Sequence, residues 1–350
     1  MKLVEKIEQL DKSGMFNHLK NFANQLHESI EIARDSAYFL NKNKNLILLG
    51  IGGSAIAGDL LQAYFRNNRH AEVDIYVNRN YFLFKNVDEK TNIIVSSYSG
   101  NTEETLSAYD YVKGRTKNII GITSGGRLKE ILRKDGYPTI EIPKGLQPRE
   151  ALGYSFFTLL LVLWKSFGSQ KEFENIVQHL NELYEFLLNR GNEYSQKEEN
   201  KASSLAKQIK NKILIVYACE ETLTPVAMRI KAQIQENAKN LCFFGTIPEM
   251  NHNEINSFRY PEDIISKLKV LILKDRNDHP KNQKRIEATY SILSKSLDVE
   301  IVESKENDFL FRMFDILYFF DWVSFYLALE NNIDPTPIPI ITELKNFIQS

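Results

Sequence analysis

The sequence predicts an α/β protein of two doubly wound parallel-sheet domains that are related by internal duplication. Short apolar runs, typical of buried parallel strands, alternate with segments of helical spacing. This alternation occurs once before and once after a highly charged stretch at residues 190–201. The strand-turn-helix sequences at residues 46–58 and 213–225 also match in form, which indicates that one design is used twice.

The first half begins with helical spacing over residues 7–40 and then enters the α/β alternation. Predicted strands lie at residues 45–51, 73–77, 92–97, 119–123 and 139–142. Predicted helices lie at residues 55–65 and from about residue 102. Ligands of such sheets bind beyond the carboxyl ends of the strands, so the turns there are the candidate sites.

The second half follows two long helices predicted within residues 151–188. Its predicted strands lie at residues 212–218, 268–273 and 299–302, and its predicted helices at 223–239, 280–296 and 309–330. We therefore expect a helical segment (1–42), a first domain (43–150), linker helices (151–200), a second domain (201–331) and a C-terminal tail (332–350) that contributes to the active site.

Composition argues against several classes of protein. The net charge of the 350 residues is −1, which gives no support to a nucleic-acid or anionic-membrane partner. Cys219 and Cys242 fall in apolar strand-like runs, so core packing is expected rather than a disulfide. Charges near the N-terminus disfavour a signal peptide, and the apolar segments 151–164 and 309–329 are predicted to be buried helices. We expect a cytoplasmic protein without a membrane span.

A glycine turn follows the first predicted strand. Gly50, Gly52 and Gly53 precede Ser54, where backbone N–H groups and a helix N-terminus would favour an anion. A ligand-free tight turn is one alternative. A dinucleotide site is another, since Gly50-x-Gly52-x-x-Ala55 loosely fits that fingerprint. The second alternative is disfavoured because the next strand ends in Val-Asn-Arg rather than in an acidic residue.

A turn rich in hydroxyl groups follows the strand at residues 92–97. It contains Ser97, Ser99, Thr102 and Thr105, and a phosphomonoester dianion would need several such donors from several directions. Helix capping, with Asn101 and Glu104 as a capping-box-like pair, would explain only part of this cluster. The corresponding turn of the second half instead contains Glu220 and Glu221. Acidic side chains repel phosphate, so only the first half is expected to bind the anion.

These motifs resemble those of a known family. The glycine turn and the Ser97–Thr102 turn are similar to the sugar isomerase (SIS) module, a flavodoxin-like phosphosugar-binding fold. The sequences Gln-Glu-Asn-Ala-Lys at 235–239, Asn-His-Asn-Glu at 251–254 and Asp-Pro-Thr at 334–336 narrow the resemblance to bifunctional phosphoglucose/phosphomannose isomerases. The resemblance covers nearly the whole chain and implies two SIS-type domains.

The resemblance implies specific roles. The phosphate would be bound by Gly53, Ser54, Ser97, Ser99 and Thr102. Glu236 would be the base that moves a proton between C1 and C2, and His252 the acid/base that opens the sugar ring. Arg149 would stabilise the enediolate, Lys345 would assist ring opening, and Thr336 would leave room near C1 and C2.

The residue types suit aldose–ketose isomerisation, since one carboxylate can remove and return a proton and an arginine can stabilise the enediolate. Each of these residues also has an interpretation without a catalytic role, for example as a solvated glutamate or a structural histidine. No spacing fits a zinc site, so neither metal nor cofactor is expected. The expected substrate is glucose 6-phosphate or fructose 6-phosphate, and mannose 6-phosphate as well.

Two alternatives stay open. A sensor on the same fold would keep Ser97–Thr102 without any reason to keep Glu236, His252 and Arg149 together. The other alternative is an isomerase that acts on an amino sugar or another phosphosugar, because one sequence does not reveal the stereochemistry of the substrate. The resemblance also implies a homodimer with shared active sites, in which His252 reaches the partner's site.

Overall fold

The computed structural model describes residues 3–43, 45–68, 73–196 and 198–349. Its contacts divide the chain into two compact units. We call Asn21–Asn189 the first-sheet unit, and Met1–Lys20 together with Arg190–Ser350 the second-sheet unit.

The elements alternate as expected for an α/β protein. Up to the end of the first sheet they are α1 (Leu3–Leu10), α2 (Met15–Lys20), α3 (Phe22–Asp35), β1 (Asn45–Leu49), α4 (Gly53–Asn67), β2 (Asp74–Asn78), β3 (Asn92–Ser96), α5 (Glu103–Val112), β4 (Ile119–Thr123), α6 (Gly126–Asp135) and β5 (Thr139–Glu141). They are followed by α7 (Leu152–Phe167), α8 (Gln170–Tyr194), α9 (Lys201–Ile209), β6 (Ile213–Cys219), α10 (Thr224–Ala238), β7 (Cys242–Ile247), α11 (Glu262–Ile265), β8 (Leu268–Lys274), α12 (Pro280–Leu293), β9 (Asp298–Glu303), α13 (Phe309–Glu330) and α14 (Pro339–Gln349).

The first sheet has the strand order β2-β1-β3-β4-β5, and each neighbouring pair is parallel. One face packs against α5 and α6, where Ile47, Leu49 and Ile93 contact apolar side chains such as Leu106 and Leu132. On the other side α4 packs against β1 and β2, and α7 packs against both α3 and α4. Helices thus cover both faces, as the sequence predicted.

The second sheet has the order β7-β6-β8-β9, again with every neighbouring pair parallel. Its core on one face includes Tyr217, Val270 and Ile272, together with Ile286 and Leu293 from α12. On the other side α10 packs on β6 and β7, and α10 also packs along α13. Two parallel α/β sheets are therefore confirmed.

The helical spacing at residues 7–40 corresponds to three helices, α1, α2 and α3, followed by a non-helical run at 36–43. The carboxylate of Asp11 accepts hydrogen bonds from the N–H groups of Met15 and Phe16, both at 2.8 Å, and Gly14 adopts a positive φ of 76°. These features end α1 and start α2. Helix α9 was not predicted, although Asn200 and Ser203 form a capping box there.

The apolar segments 151–164 and 309–329 fall in α7 and α13, and both helices are buried as predicted. No helix in the described part of the chain is both long enough and apolar enough to cross a membrane. The charges within α13 are paired: Arg312 donates to the carboxylate of Asp275 at 2.7 and 2.9 Å. Paired charges are compatible with a buried helix because their hydrogen bonds offset desolvation.

A second buried ion pair joins α10 to α13. Arg229 donates to the two carboxylate oxygens of Asp321 at 3.1 and 2.7 Å, and Gln233 donates to the same carboxylate at 3.1 Å. One turn further along each helix, the amide of Asn237 donates to the Ser324 hydroxyl at 2.9 Å. Burial raises the pKa of Asp321, and the neighbouring guanidinium acts in the opposite direction. The polar row therefore fixes the rotation of α10 against α13.

This arrangement predicts a non-additive stability effect. Arg229→Met should lower the free energy of unfolding by about 3–5 kcal/mol, since it leaves the Asp321 carboxylate buried without its cation. The double variant Arg229→Met/Asp321→Leu should recover most of that loss, because it removes both charges. Urea denaturation of the two variants and the wild type gives the comparison. Equal destabilisation in both variants would contradict this account of the pair.

Candidate functional site

The glycine turn lies at the carboxyl end of β1. Gly52 has φ 58° and ψ −127°, a conformation that side chains disfavour, and α4 begins at the next residue. A Cβ atom on Gly53 would lie 2.6 Å from the Pro148 carbonyl oxygen and 3.5 Å from the Arg149 Cα. The missing side chain at Gly53 therefore lets the segment that contains Arg149 lie directly on this turn.

The hydroxyl-rich turn lies at the carboxyl end of the neighbouring strand β3. The Ser97 and Thr102 hydroxyl oxygens are 2.9 Å apart, and the Ser54 hydroxyl accepts a bond from the Tyr98 N–H at 3.3 Å. The Ser99 hydroxyl accepts from the Asn101 N–H at 3.2 Å. The structure thus brings the turns of Ser54 and of Ser97–Thr102 together at one edge of the sheet.

Helix capping does not explain these hydroxyl groups. Thr102 is the N-cap residue of α5, yet its side chain makes no capping hydrogen bond. The Asn101 side chain accepts instead from the Arg127 N–H at 3.1 Å, which removes the capping-box alternative with Glu104. The N-terminal N–H groups of α5 and the nearby hydroxyls are together suited to an anion.

Tyr98 is a feature that the sequence reasoning did not assign. Its hydroxyl donates to the Pro143 carbonyl at 3.0 Å and accepts from the Leu146 N–H at 3.0 Å. The Glu150 carboxylate accepts from the Gln147 N–H at 3.1 Å, which closes the same loop further along. Tyr98 therefore connects the hydroxyl turn to the loop that leads to Arg149, whose side chain is buried. Its place between two serines of the turn was the available signal.

The remaining candidates lie in the second-sheet unit, on separate elements. Glu236 is half-buried in the last turn of α10, and His252 is exposed at the end of a short 3₁₀ turn, Glu249–His252, that follows β7. Lys345 is exposed on α14, whereas Thr336 is buried in the segment before α14. Lys239 joins that segment to the end of α10, with 2.9 Å from its Nζ to the Asp334 carbonyl oxygen.

The carboxyl end of β6 is acidic, as the sequence indicated. Ligand-type atoms of Cys219, Glu221 and Asp278 lie within 4.8 Å of one another. The His279 N–H donates to Glu221 at 3.0 Å, and Asp278 accepts from the Asp275 N–H at 2.8 Å and from the Thr222 hydroxyl. Burial, together with the charges of Asp275 and Glu221, raises the pKa of Asp278 to about 6. This strand end disfavours a phosphate, and its carboxylates already accept bonds from the protein.

Family models match both halves of the chain. Residues 39–129 match the SIS domain, and residues 198–348 match the bacterial phospho-glucose isomerase C-terminal SIS domain. The C-terminal domain of a glucosamine-fructose-6-phosphate aminotransferase from Francisella tularensis superposes with a TM-score of 0.66 at 11% identity, covering 96% of this chain and 98% of that one. The second comparison concerns the fold alone, and both domains are of the SIS type.

A bifunctional phosphoglucose/phosphomannose isomerase from Caldicellulosiruptor bescii is 38% identical over 95% of this chain and 98% of its own length. The chain belongs to the bifunctional phosphoglucose/phosphomannose isomerase family. A D-glucosamine-6-phosphate 4-epimerase from Sulfolobus acidocaldarius is also similar, with 36% identity over 61% of this chain and 64% of that protein. Family membership agrees with the resemblance that the sequence motifs indicated.

The raised pKa of Asp278 predicts that the stability of the protein depends on pH. The folded-state pKa of Asp278 is raised above its unfolded value of 3.8, so the folded protein binds more protons between about pH 4 and 6, and stability from this group falls as pH rises through that window. Asp278→Asn removes the titration. As pH rises from 4.5 to 7.5, the free energy of unfolding of Asp278→Asn should increase by about 2 kcal/mol relative to that of the wild type. Denaturant titrations at both pH values measure this, and a pH-independent difference would contradict it.

Proposed function

We propose that this family member interconverts glucose 6-phosphate and fructose 6-phosphate, and also accepts mannose 6-phosphate, through ring opening and a cis-enediolate. The observation that carries the proposal is the joined pair of turns at the ends of β1 and β3, with the Arg149 segment lying on Gly53. A cluster of hydroxyls, helix N–H groups and a nearby arginine suits a phosphorylated substrate that develops negative charge.

The phosphate is bound, in this proposal, by the side chains of Ser54, Ser97, Ser99 and Thr102, with the Gly53 backbone close to it. Each hydroxyl can rotate to donate to a phosphate oxygen, and the dianion also faces the start of α5. Binding of the phosphate group positions the sugar, and the residues that bind it take no part in the proton transfer. The same phosphate site can therefore bind glucose 6-phosphate, mannose 6-phosphate and fructose 6-phosphate.

Isomerisation then needs two proton-transfer groups. His252 moves a proton between the ring oxygen and the anomeric hydroxyl, with Lys345 assisting, so that the open-chain aldehyde forms. Glu236 removes the C2 proton of the aldose and returns it to C1, while a second proton passes from the C2 hydroxyl to the C1 oxygen. The Arg149 guanidinium stabilises the negative oxygen of the enediolate between these steps.

Mannose differs from glucose only in configuration at C2. A single base can serve both sugars if the enediolate turns about its C2–C3 bond before the proton returns. The small Thr336 side chain would leave space for that rotation. The similarity to an epimerase of an amino sugar phosphate favours glucosamine 6-phosphate as a second candidate substrate.

The proposal predicts isomerase activity that depends on Glu236. Glu236→Gln keeps the side chain's size and removes the proton acceptor, so kcat on glucose 6-phosphate should fall at least 10²-fold, the lower end of what a general base contributes. Exchange of the C2 proton with solvent deuterium, followed by NMR in the presence of EDTA, should stop as well. Glu262→Gln, on the exposed helix α11, is the matched control.

Activity is measured in the same assay on glucose 6-phosphate, mannose 6-phosphate and glucosamine 6-phosphate. Exchange at the wild-type rate in Glu236→Gln would assign the base to another residue. Activity confined to glucosamine 6-phosphate would replace the proposed substrate. Binding of a phosphosugar without turnover of any of the three would favour a sensor.

We further propose that the enzyme is a homodimer with shared active sites. Leu241, Phe243 and Phe244 are exposed on or beside β7, an edge strand without charges, and apolar sheet edges of this kind are usually covered by a partner. His252 ends the turn directly after this strand. Pairing along this edge would bring His252 into the neighbourhood of a second copy.

Mixing two inactive variants tests the shared sites. Glu236→Gln and His252→Ala subunits are unfolded and refolded together. If Glu236 of one subunit works with His252 of the other, each mixed dimer has one intact site and one doubly defective site. Random pairing makes half of the dimers mixed, so activity should return to about a quarter of wild type. Each variant refolded alone is the control, and no recovery in a mixture with demonstrated subunit exchange would refute shared sites.

A further inference from the structure

The end of α10 has an unusual residue at its C-cap. Lys239 adopts the left-handed conformation, with φ 50° and ψ 33°, where glycine or asparagine is normally found. For a residue with a Cβ atom this conformation costs about 1–2 kcal/mol. Asparagine tolerates a left-handed backbone better than lysine does, yet the C-cap is Lys239 and not the next residue, Asn240. The Lys239 N–H donates to the Ile234 carbonyl oxygen, which is the usual backbone bond of a left-handed C-cap, and the side chain makes further contacts of its own.

The Lys239 ammonium group donates to three backbone carbonyl oxygens. They belong to Asn237 at 3.2 Å, Asp334 at 2.9 Å and Pro335 at 3.1 Å. The first lies in the last turn of α10, and the other two lie 95 and 96 residues further along the chain. The Asn331 amide adds a parallel link, since it donates to the Ala238 carbonyl at 3.0 Å. The end of α10 is thus joined to the segment 331–335.

Lysine suits this position better than any other cation. Its three N–H donors point in tetrahedral directions from a single nitrogen and can reach carbonyl groups on different segments, whereas a guanidinium presents its donors in one plane. A positive charge at a helix C-terminus also stabilises the free carbonyl groups there. From this left-handed C-cap the side chain reaches back to the Asn237 carbonyl in the last turn of α10.

The joined segments contain residues with proposed roles. Glu236 lies in the last turn of α10, three residues before Lys239, and Thr336 follows the two carbonyls that Lys239 binds. The Thr336 N–H donates to the Asp334 side chain at 2.9 Å, so the Asp334 carbonyl and Thr336 belong to one tight turn. Helix α14, with Lys345, begins three residues beyond Thr336.

We propose that Lys239 is a positioning residue, which holds the C-terminal segment with Thr336 and Lys345 in register with Glu236 at the end of α10. This inference rests on the proposed isomerase function. Lys239 contacts backbone carbonyls rather than the reacting sugar, so its loss should lower kcat and leave phosphate recognition unchanged. A small displacement of reacting groups can cost about 10²-fold in rate.

The test replaces the lysine with a cysteine, whose thiol can then be alkylated to rebuild a lysine-like side chain. Lys239→Cys places an exposed thiol at the position, while both natural cysteines are fully buried. Alkylation with 2-bromoethylamine then restores an ammonium group at the same distance from the backbone. Alkylation with iodoacetamide places a neutral amide nitrogen at that distance instead. Wild-type protein treated with both reagents controls for reaction at Cys219 and Cys242.

For Lys239→Cys we expect kcat on glucose 6-phosphate to fall about tenfold to 10²-fold, with KM within about threefold of wild type. Backbone amides of residues 334–349 should exchange with deuterium about tenfold faster, because the segment has lost its anchor. Aminoethylation should restore both quantities and carbamidomethylation neither. Lys231→Cys, on the same helix and without a side-chain hydrogen bond within the described residues, should change little in either assay.

Several results would overturn the proposal. Unchanged kcat in Lys239→Cys, or equal rescue by the neutral and the charged alkyl groups, would refute a positioning role for the cation. Faster exchange with unchanged kcat would leave Lys239 a purely structural anchor. If Lys239→Cys does not fold, Lys239→Gln is measured in the same way. A wild type without isomerase activity would instead refute the proposed function, and the exchange data would still decide whether Lys239 holds the segment.

Discussion

Because β1 and β3 pair in parallel, with Leu46 opposite Asn92 and Leu49 opposite Val95, the turns that follow them must emerge at the same edge of the sheet. This register places the glycine turn beside the hydroxyl turn. A shift of one residue would reverse the face to which each side chain points and would separate Ser54 from Tyr98. The candidate phosphate site therefore depends on a backbone pairing formed by short apolar strands.

The loop that contains Arg149 depends on that edge in turn. It lies on Gly53 because no Cβ atom is present there, and the Tyr98 hydroxyl binds two of its backbone groups. The arginine thus gains a fixed position from its neighbours rather than from its own sequence. Rigid support of this kind is what the role proposed for Arg149 requires, since a donor that stabilises an enediolate must be in place before charge develops.

The two sheets diverge in chemistry although their designs match. The end of β1 leads to glycines and the N-terminus of α4, whereas the end of β6 leads to Glu220 and Glu221. The buried Asp278, from the loop after β8, lies beside Glu221 and has a pKa raised to about 6. The second-sheet unit instead bears its candidate residues on α10, the turn after β7 and α14. Its internal order rests on buried polar contacts between α10 and α13, which prevent the helix that carries Glu236 from rotating.

The amino-acid pattern alone determined the alternation of strands and helices, the two parallel sheets, the hydroxyl cluster at residues 97–102 and the acidic replacement at Glu220 and Glu221. These features are local, because periodicity and turn chemistry are properties of neighbouring residues. Family motifs extended the prediction to the site residues, whose roles stay predictions. Local spacing indicated helix over residues 7–40 but not the break between α1 and α2, which Asp11 and Gly14 produce.

Which distant groups meet depends on the tertiary packing of the chain. Residues 1–20 cluster with residues 190–350, the Gly53 Cα faces Pro148, and the Lys239 ammonium binds carbonyls 95 and 96 residues away. Sequence periodicity does not predict such contacts. A lysine or a tyrosine appears the same in the sequence whether its side chain is solvated or hydrogen-bonded to a distant segment. Their partners are backbone atoms, which every residue possesses. The geometry of the folded chain, rather than residue type, therefore determines these interactions.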